Sequence, residues 1–223
     1  MLTISENVRK LYPKFKAGIL TAELTDGPVC RDSFLKMKQE ELSELKKRHG
    51  NYERKEFIGT EPVCFYRDYY KRHRKTYPVL LQLESVLLKG RDIPDAGIFV
   101  ESMFLAEIKN LILTAGHDMD KIEFPLTVDT AKGGEVFCGI TGCEQVLSKD
   151  DICLSDQSGI ISSILNGPDS HSRIGEDTGK AMFFVYGTEG VSEQLILRHL
   201  NETGYFLSVY APGVHIDQVR IFP

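Results

Sequence analysis

A short polar stretch follows an apolar run near the middle of the sequence, in the segment NLILTAGHDMDKI at residues 110–122. His117 is followed directly by Asp118, and Asp120 and Lys121 come soon after. A histidine beside a carboxylate can act as a base near neutral pH, because its reference pKa is about 6.5. A histidine after a glycine at a helix end can instead bond the last free carbonyl groups, and aspartates commonly close turns. Proton transfer, ligand contact and a purely structural helix end therefore all stay open for His117.

Other polar residues are candidates for lining a pocket near this corner. Asn166 and Gly167 precede a proline, which is a strong turn signal, but both could also face a ligand. Asp156 closes a predicted strand, and Glu107 lies on a predicted helix. Ser163 belongs to a serine pair inside an apolar strand, where alternation turns one of the two inward.

One basic segment stands out in a chain whose formal net charge is -5. The segment YYKRHRK, residues 69–75, carries Lys71, Arg72, Arg74 and Lys75 next to two tyrosines. Basic side chains next to aromatic ones can bind a nucleic-acid strand, by pairing with phosphates and stacking on nucleobases. The alternative is the solvated end of a helix.

The composition favours a globular protein that works in the cytoplasm. Hydrophobic residues make up 42% of the 223 positions, and charged residues make up 26%. No stretch of about 18 apolar residues predicts a membrane span, and no apolar run behind a basic start predicts a signal peptide. The five cysteines are odd in number and contain no CxxC pair, so we expect neither a disulfide framework nor a metal site. We also expect no cofactor, because the glycines of GGEVFCG lack the Lys-Ser/Thr step of a phosphate loop.

The first half of the chain is predicted to be mainly helical. A strand is expected at 14–24 before the turn signal Asp-Gly-Pro, and a loop is expected at 51–62. Asp32 is a candidate N-cap for a helix that ends at Gly50. Further helices are predicted at 64–74, 79–90 and 97–114, where apolar residues recur at helical spacing.

The second half is predicted to consist mainly of short strands. Between residues 122 and 186, turn signals separate apolar and β-branched runs of five to seven residues. A helix at 191–201, with Ser192 as its N-cap, and strands at 205–210 and 215–221 complete the prediction. The sequence therefore predicts one α+β domain, with a β-sandwich-like set of sheets flanked by helices. Residues 1–75 would be its N-terminal part and residues 76–190 its core.

Four segments in a fixed order resemble a known family. They are YPVLLQLESVLLKGRDIP, FVESMFLAEIKNLILTAGHDMDKI, GGEVFCGITGCEQVLSKDDICLSD and ILNGPDSHSRIGEDT. Together they resemble the B3/B4 domain of the bacterial phenylalanyl-tRNA synthetase beta subunit, and still more the stand-alone proteins that consist of this domain alone. The match runs from about residue 77 to residue 186.

This resemblance implies a B3/B4-type fold, a tRNA-related role and a tRNA or an aminoacyl-type small molecule as partner. The family's domain hydrolyses tyrosine wrongly esterified to the phenylalanine tRNA. Such hydrolysis needs a positioned water, hydrogen-bond donors for the developing oxyanion and a pocket for the side chain. The ligand pocket would then be formed by the residues aligned with the family's pocket and by the polar candidates beside them: Met103, Phe104, Glu107, Ala115, Asp120, Asp156, Ser163, Asn166 and Gly167.

The sequence departs from the family where the chemistry would occur. Met103 and Phe104 stand at the positions of a Thr-Asn pair, and Ala115 stands opposite the family's histidine. His117 lies two residues further on, and Phe184 or a neighbour replaces an acidic residue. The expected pocket is therefore largely apolar, which puts hydrolysis by the family's own residues in doubt.

Three functions follow as hypotheses. The first is a stand-alone tRNA-binding module that takes RNA or an aminoacyl ligand, with the basic segment on the RNA. The second is an aminoacyl-tRNA deacylase that edits mischarged tRNA in trans, with His117 and a nearby carboxylate in catalysis. The third is a small-molecule or protein-binding module on the same scaffold. Oligomerisation stays open.

Overall fold

The computed structural model describes residues 2–223. The seven helices of this range are α1 (Glu6–Leu11), α2 (Arg31–Arg48), α3 (Arg54–Phe57), α4 (Val63–Arg72), α5 (Pro78–Lys89), α6 (Ile98–Asn110) and α7 (Glu193–Tyr210). Its eleven strands are β1 (Leu2–Ile4), β2 (Lys16–Glu23), β3 (Thr114–Asp118), β4 (Leu126–Thr130), β5 (Val136–Cys138), β6 (Glu144–Val146), β7 (Ile152–Ser155), β8 (Ile160–Ser163), β9 (Gly167–Pro168), β10 (Lys180–Gly187) and β11 (His215–Phe222). A short 3-10 turn, Met119–Lys121, follows β3.

A four-stranded antiparallel sheet forms the centre of the fold, in the order β11-β2-β10-β3. Strands β2 and β10 are buried along almost their whole length, which agrees with their continuous apolar sequences. Helices α6 and α7 cover one face, where the ring of Phe99 packs on that of Phe183. On the same face, Gly18 lets α7 approach, because a Cβ there would lie only 2.4 Å from Ile196 Cγ2.

A five-stranded sheet, in the order β1-β4-β7-β8-β9, covers the other face of the central sheet. Only the β1–β4 pair is parallel. The two sheets meet where Ser162 of β8 lies within hydrogen-bond distance of His117 on β3 and Tyr186 on β10. Helices and mixed sheets packed in this way confirm the predicted α+β class with sandwich-like sheets flanked by helices.

Helix α5 begins and ends as its sequence predicts. Pro78 occupies the first turn, where its missing N–H costs no helical hydrogen bond. Gly90 takes a left-handed conformation, with φ of 63°, just after the last helical residue. Helix α2 also matches its prediction, although it starts at Arg31, so that Asp32 lies in its first turn rather than at the cap.

The prediction of a helix at 97–114 is wrong at its C-terminal end. This error changes the secondary-structure element in which His117 lies. Helix α6 stops at Asn110, because Leu111 takes a left-handed conformation with φ of 57°. Residues 114–118 then form β3, in which all five residues are buried. His117 therefore lies within a central strand, paired with Met182, and not at a helix end.

Two further predictions of secondary structure, a strand and a loop, are wrong. The strand predicted at 205–210 is the last third of α7, because Leu200, Thr203 and Leu207 continue one buried helical face. Ser192 caps this helix as expected, by accepting a bond from the amide of Leu195. The loop predicted at 51–62 contains the short helix α3. Within residues 2–223, no helix is both long and apolar enough to cross a bilayer.

Candidate functional site

A cavity of about 190 Å³ lies between α5, α6, β3 and β9. We call it the first cavity. Its apolar lining includes Val79, Val100, Met103, Phe104, Leu113 and Ile174. The family resemblance placed Met103 and Phe104 in a ligand pocket, and both side chains line this cavity.

Gly116 lets two lining side chains of the first cavity, Ile174 and Met103, pack closely against β3. A Cβ at this position would lie 2.7 Å from Ile174 Cδ1 and 3.1 Å from Met103 Sδ. Strand geometry explains its place, because successive side chains of β3 point to opposite faces. Thr114 and Gly116 face the cavity, whereas Ala115 and His117 face the five-stranded sheet.

Glu107 is the titratable residue in the lining of the first cavity. Its side chain comes from the buried face of α6, and the residue is only 2% exposed. The backbone amide of Thr114 donates a 2.8 Å hydrogen bond to Glu107 Oε1. Burial raises the pKa of Glu107 to about 8, and this hydrogen bond opposes the shift only in part. The carboxyl group is therefore mostly protonated at neutral pH and can donate a hydrogen bond into the cavity.

Exposed cationic side chains lie close to one edge of the first cavity, formed by Pro78 and Pro168, and we call this edge its mouth. Pro168 lines the cavity two residues after Asn166, whose Oδ1 accepts a 2.8 Å bond from Lys75 Nζ. Pro78, three residues after Lys75, lines the same cavity. On another part of the lining, the carbonyl of Ile140 accepts a bond from the exposed Arg173.

The rest of the basic segment is also exposed at the end of α4. Arg72 lies over the ring of Tyr12, with its guanidinium carbon 6.0 Å from the ring centroid. It also approaches Glu189 at 4.0 Å. Lys71 and Arg74 make no ion pair with the residues that the structure describes, so their charges are available to a partner.

His117 lies between the two sheets and outside the lining of the first cavity. It is fully buried, with Nδ1 2.7 Å from Ser172 Oγ and Nε2 3.2 Å from Ser162 Oγ. Ser172 in turn bonds Asp169, and Ser162 bonds Tyr186. Burial lowers the pKa of His117 to about 3, so the imidazole stays neutral. Both ring nitrogens are occupied, which leaves this histidine a structural role in the sandwich.

Asp118 stabilises the turn that follows β3. Asp118 accepts a bond from the amide of Asp120 and from Thr178, and it pairs with Lys121 at 3.2 Å. Asp120 is exposed within the 3-10 turn. Neither aspartate lines the first cavity.

Asp156 caps the turn between β7 and β8. It accepts hydrogen bonds from Glu123, Ser158 and Gly159. Burial would raise its pKa, but these bonds outweigh burial and lower it. Asp156 is therefore a charged turn residue outside the first cavity.

The remaining candidates lie behind the cavity or at its edge. Ala115 is buried on the opposite face of β3, where it pairs with Phe184. Ser163 is buried and accepts bonds from the amide and the side chain of Asn166. Gly167 follows with φ of 72° and directly precedes Pro168. Of the candidates predicted from the sequence, the first cavity thus brings together Met103, Phe104 and Glu107, with Asn166 and Gly167 next to its mouth.

Gly116 and Gln82 are among the lining residues that were not predicted. Gly116 lies in the segment at residues 110–122, where only polar residues were considered as candidates. If these residues had been predicted to form a strand, the alternation of side chains would have placed Gly116 on the face that contacts Met103. Gln82 lines the first cavity from α5, and nothing in its sequence context distinguishes it from a solvated helix residue. Within residues 2–223, no group of three or more His, Cys, Asp and Glu side chains is placed to hold a metal ion.

The fold, but not the sequence, is similar to that of known proteins. No protein-family model matches the chain, and no curated protein sequence matches it. The fold is similar to the crystal structure of an N-terminal fragment of the phenylalanyl-tRNA synthetase beta subunit from Pyrococcus horikoshii, with a TM-score of 0.50 and 12% sequence identity. The similarity covers 100% of this chain and 54% of the fragment, so the chain spans about half the length of that fragment. At this identity the likeness shows a shared fold.

Proposed function

We propose that this chain is a B3/B4-type binding module for the aminoacyl end of a charged tRNA. The observation that carries the proposal is the first cavity, an apolar chamber with one protonated carboxyl group and a mouth beside exposed cations. The structural similarity to a phenylalanyl-tRNA synthetase fragment supports the same assignment. We extend the module to the whole chain, since the main hydrophobic core draws residues from Leu2 to Leu207.

The volume and lining of the first cavity suit an apolar side chain with a single ring. A dry apolar cavity of about 150 Å³ is enough to bind benzene, and the first cavity measures about 190 Å³. Met103 and Phe104 supply an apolar and adaptable wall. The protonated Glu107 would hydrogen-bond a polar atom of the ligand, because a buried donor without a partner is costly.

The cations near the mouth would contact the phosphates of the tRNA 3′ end. Lys75 is held beside Asn166 at the edge of the cavity, while Lys71 and Arg74 continue the positive surface along the end of α4. Each phosphate that these side chains neutralise releases counterions, which makes such binding salt-dependent. A local positive surface reconciles nucleic-acid binding with a formal net charge of -5.

Binding without hydrolysis fits the geometry better than editing does. His117, the predicted base, is fully bonded on the other face of β3. Glu107 is mostly protonated near pH 7, so only a small fraction of molecules carries the carboxylate that could act as a base there. We accordingly rank the trans-editing hydrolase second.

The experiment compares three forms of one tRNA: uncharged, charged through the natural ester, and charged through a stable amide linkage. Affinity is measured for all three, and release of the amino acid is followed for the ester. The proposal predicts tighter binding of the charged forms and an ester lifetime that the protein does not shorten. Accelerated release would instead support the hydrolase, and equal binding of charged and uncharged tRNA would contradict an aminoacyl pocket.

Two glycine variants provide the matched test of the cavity. Gly116→Ala places a methyl group against Ile174 and Met103 and should reduce the preference for charged tRNA. Gly179→Ala adds the same methyl group where no atom lies within 4 Å, and it should leave binding unchanged. Thermal unfolding of both variants checks that the fold is retained.

A further inference from the structure

A second cavity of about 290 Å³ adjoins the first one along the groove between α5 and α6. Its apolar wall is formed by Val86, Ile93, Pro94 and Ile108. Two residues, Gln82 and Phe104, line both cavities. Two mostly apolar chambers that share one polar side chain and one aromatic ring therefore lie next to each other.

Gln82 has an unpartnered polar atom at this junction. Its Oε1 is buried, and no hydrogen bond to it is made by any residue that the structure describes. A buried carbonyl oxygen without a partner is unfavourable, and such groups in native proteins call for an explanation. A half-turn of the terminal amide, which interchanges Oε1 and Nε2, would turn the acceptor toward the cavities that Gln82 lines, where an N–H group of a ligand would satisfy it.

The surroundings indicate that this donor is a neutral amide rather than an ammonium group. Both cavities are mostly apolar, and the carboxyl group that lines the first one, Glu107, is held largely protonated by burial. Asp92 also lines the second cavity, but this exposed carboxylate already accepts a bond from the amide of Ile93 and lies 3.8 Å from Lys38 Nζ. A charged amine at the buried junction would therefore lose its hydration without gaining a free anionic partner. An amide N–H needs only one acceptor, which Gln82 Oε1 provides.

We infer that the module recognises an N-acylated or peptidyl amino acid, with the side chain in the first cavity and the acyl group in the second. This inference rests on the proposed function and names the class of its ligand. Gln82 accepts the bond from the amide N–H between the two apolar groups. Phe104 contacts both groups and separates their chambers. A free aminoacyl group fills only the first chamber and leaves Gln82 Oε1 without a partner.

The test uses two small probes that carry no nucleic acid: phenylalaninamide and N-hexanoyl-phenylalaninamide. Their affinities for the full chain are measured by calorimetry. The inference predicts that the acylated probe binds at least about tenfold more tightly, because it adds one hydrogen bond and buries a hydrocarbon chain. It also predicts that Gln82→Leu removes a large part of this difference, since leucine has a similar size and no acceptor.

A second variant tests the chamber itself. Ser85 lines the second cavity and not the first, so Ser85→Phe should fill the second cavity, abolish the gain from acylation and leave phenylalaninamide binding unchanged. Leu81→Phe is the matched control, because Leu81 is exposed on the same helix and lines neither cavity. It should keep the full gain from acylation.

The outcomes separate this inference from the proposed function. Equal affinities for the two probes, or a gain that survives in both Gln82→Leu and Ser85→Phe, would overturn the inference while the aminoacyl pocket stands. Failure of both probes to bind, together with equal binding of charged and uncharged tRNA, would overturn both.

Discussion

The backbone amide of Thr114 donates a 2.8 Å hydrogen bond to the side chain of Glu107. This bond ties the first residue of β3 to the last turn of α6, across the tight turn in which Leu111 takes a left-handed conformation. It also fixes the carboxyl group at the wall of the first cavity. The same hydrogen bond therefore closes the helix–strand connection and orients the acid that we propose contacts the ligand.

Burial of Glu107 makes the stability of the protein depend on pH. Its folded pKa of about 8 lies above the value of 4.5 that applies when the chain is unfolded. The stabilisation is complete below pH 4.5 and is lost as the pH rises toward 8. From pH 6.5 to 8 we expect the free energy of unfolding to fall by about 1–2 kcal/mol.

Glu107→Gln is the variant that isolates this effect, because an amide oxygen can still accept the bond from Thr114 but carries no ionisable proton. Urea unfolding of this variant should show a free energy that changes much less between pH 6.5 and 8. An equal slope in the variant and in the wild type would show that Glu107 does not cause the effect.

Removal of His117 should damage the fold and leave ligand binding by the folded protein unchanged. His117→Ala empties a buried site and leaves Ser162 and Ser172 without their shared partner, so we expect a loss of about 2–5 kcal/mol. Chemical denaturation measures this loss, and tRNA binding is measured well below the unfolding midpoint. A variant that folds normally but loses a hydrolytic activity would contradict the structural role.

The same histidine should sensitise the wild type to acid. The folded pKa of about 3 lies below the reference value of 6.5, so the neutral ring contributes stability that is present above pH 6.5. That contribution is lost as the pH falls from 6.5 toward 3. His117→Ala should therefore show a shallower decline than the wild type over this interval, and a parallel decline would contradict the assignment.

The fold class and most helices could be predicted from the sequence, because the spacing of apolar residues and the signals at the helix ends indicate the same bounds. Pro78 and Gly90, for example, mark both ends of α5. The α6–β3 boundary was misplaced because the apolar run through Ile112 is compatible with either structure. The turn there depends on a left-handed Leu111 and on the long-range bond to Glu107, and neither can be recognised from spacing alone.

The same limit applies to the candidate site. Met103 and Phe104 were found through the family resemblance, and Glu107 was found as a carboxylate on a predicted helix. Their convergence with Pro168 and Ile174 depends on packing between distant parts of the chain.

The buried ion cluster of α2 should contribute strongly to stability. Lys38 Nζ lies 3.2 Å from Oε2 of the fully buried Glu101, and Arg31 approaches the other carboxylate oxygen at 3.4 Å. Lys38→Met leaves part of the charge of Glu101 buried without compensation and should cost about 3–5 kcal/mol in unfolding free energy. The double variant Lys38→Met/Glu101→Leu should recover a large share of that loss. A single variant as stable as the wild type would contradict this role.

The basic segment should determine the salt dependence of tRNA binding. Replacing Lys71, Arg74 and Lys75 by alanine should weaken binding. The plot of log affinity against log salt has a negative slope, and the magnitude of this slope should decrease by about 0.7 for each phosphate that is no longer neutralised. Lys46→Ala, at an exposed position of α2, is the control and should leave the slope unchanged. An unchanged slope in the triple variant would place the RNA elsewhere.

The most direct measurement of the central claim uses the methionine methyl groups as local probes. The chain has five methionines, and Met103 lines the first cavity, whereas Met182 lies in β10 beside His117 and Met37 lies on α2. Methyl-labelled protein is titrated with an amide-linked aminoacyl-tRNA end and followed by NMR. We expect the Met103 signal to shift until the site is saturated, while the Met37 and Met182 signals stay in place. A Met103 signal that does not move when the ligand binds would contradict the assignment of this cavity as the ligand site.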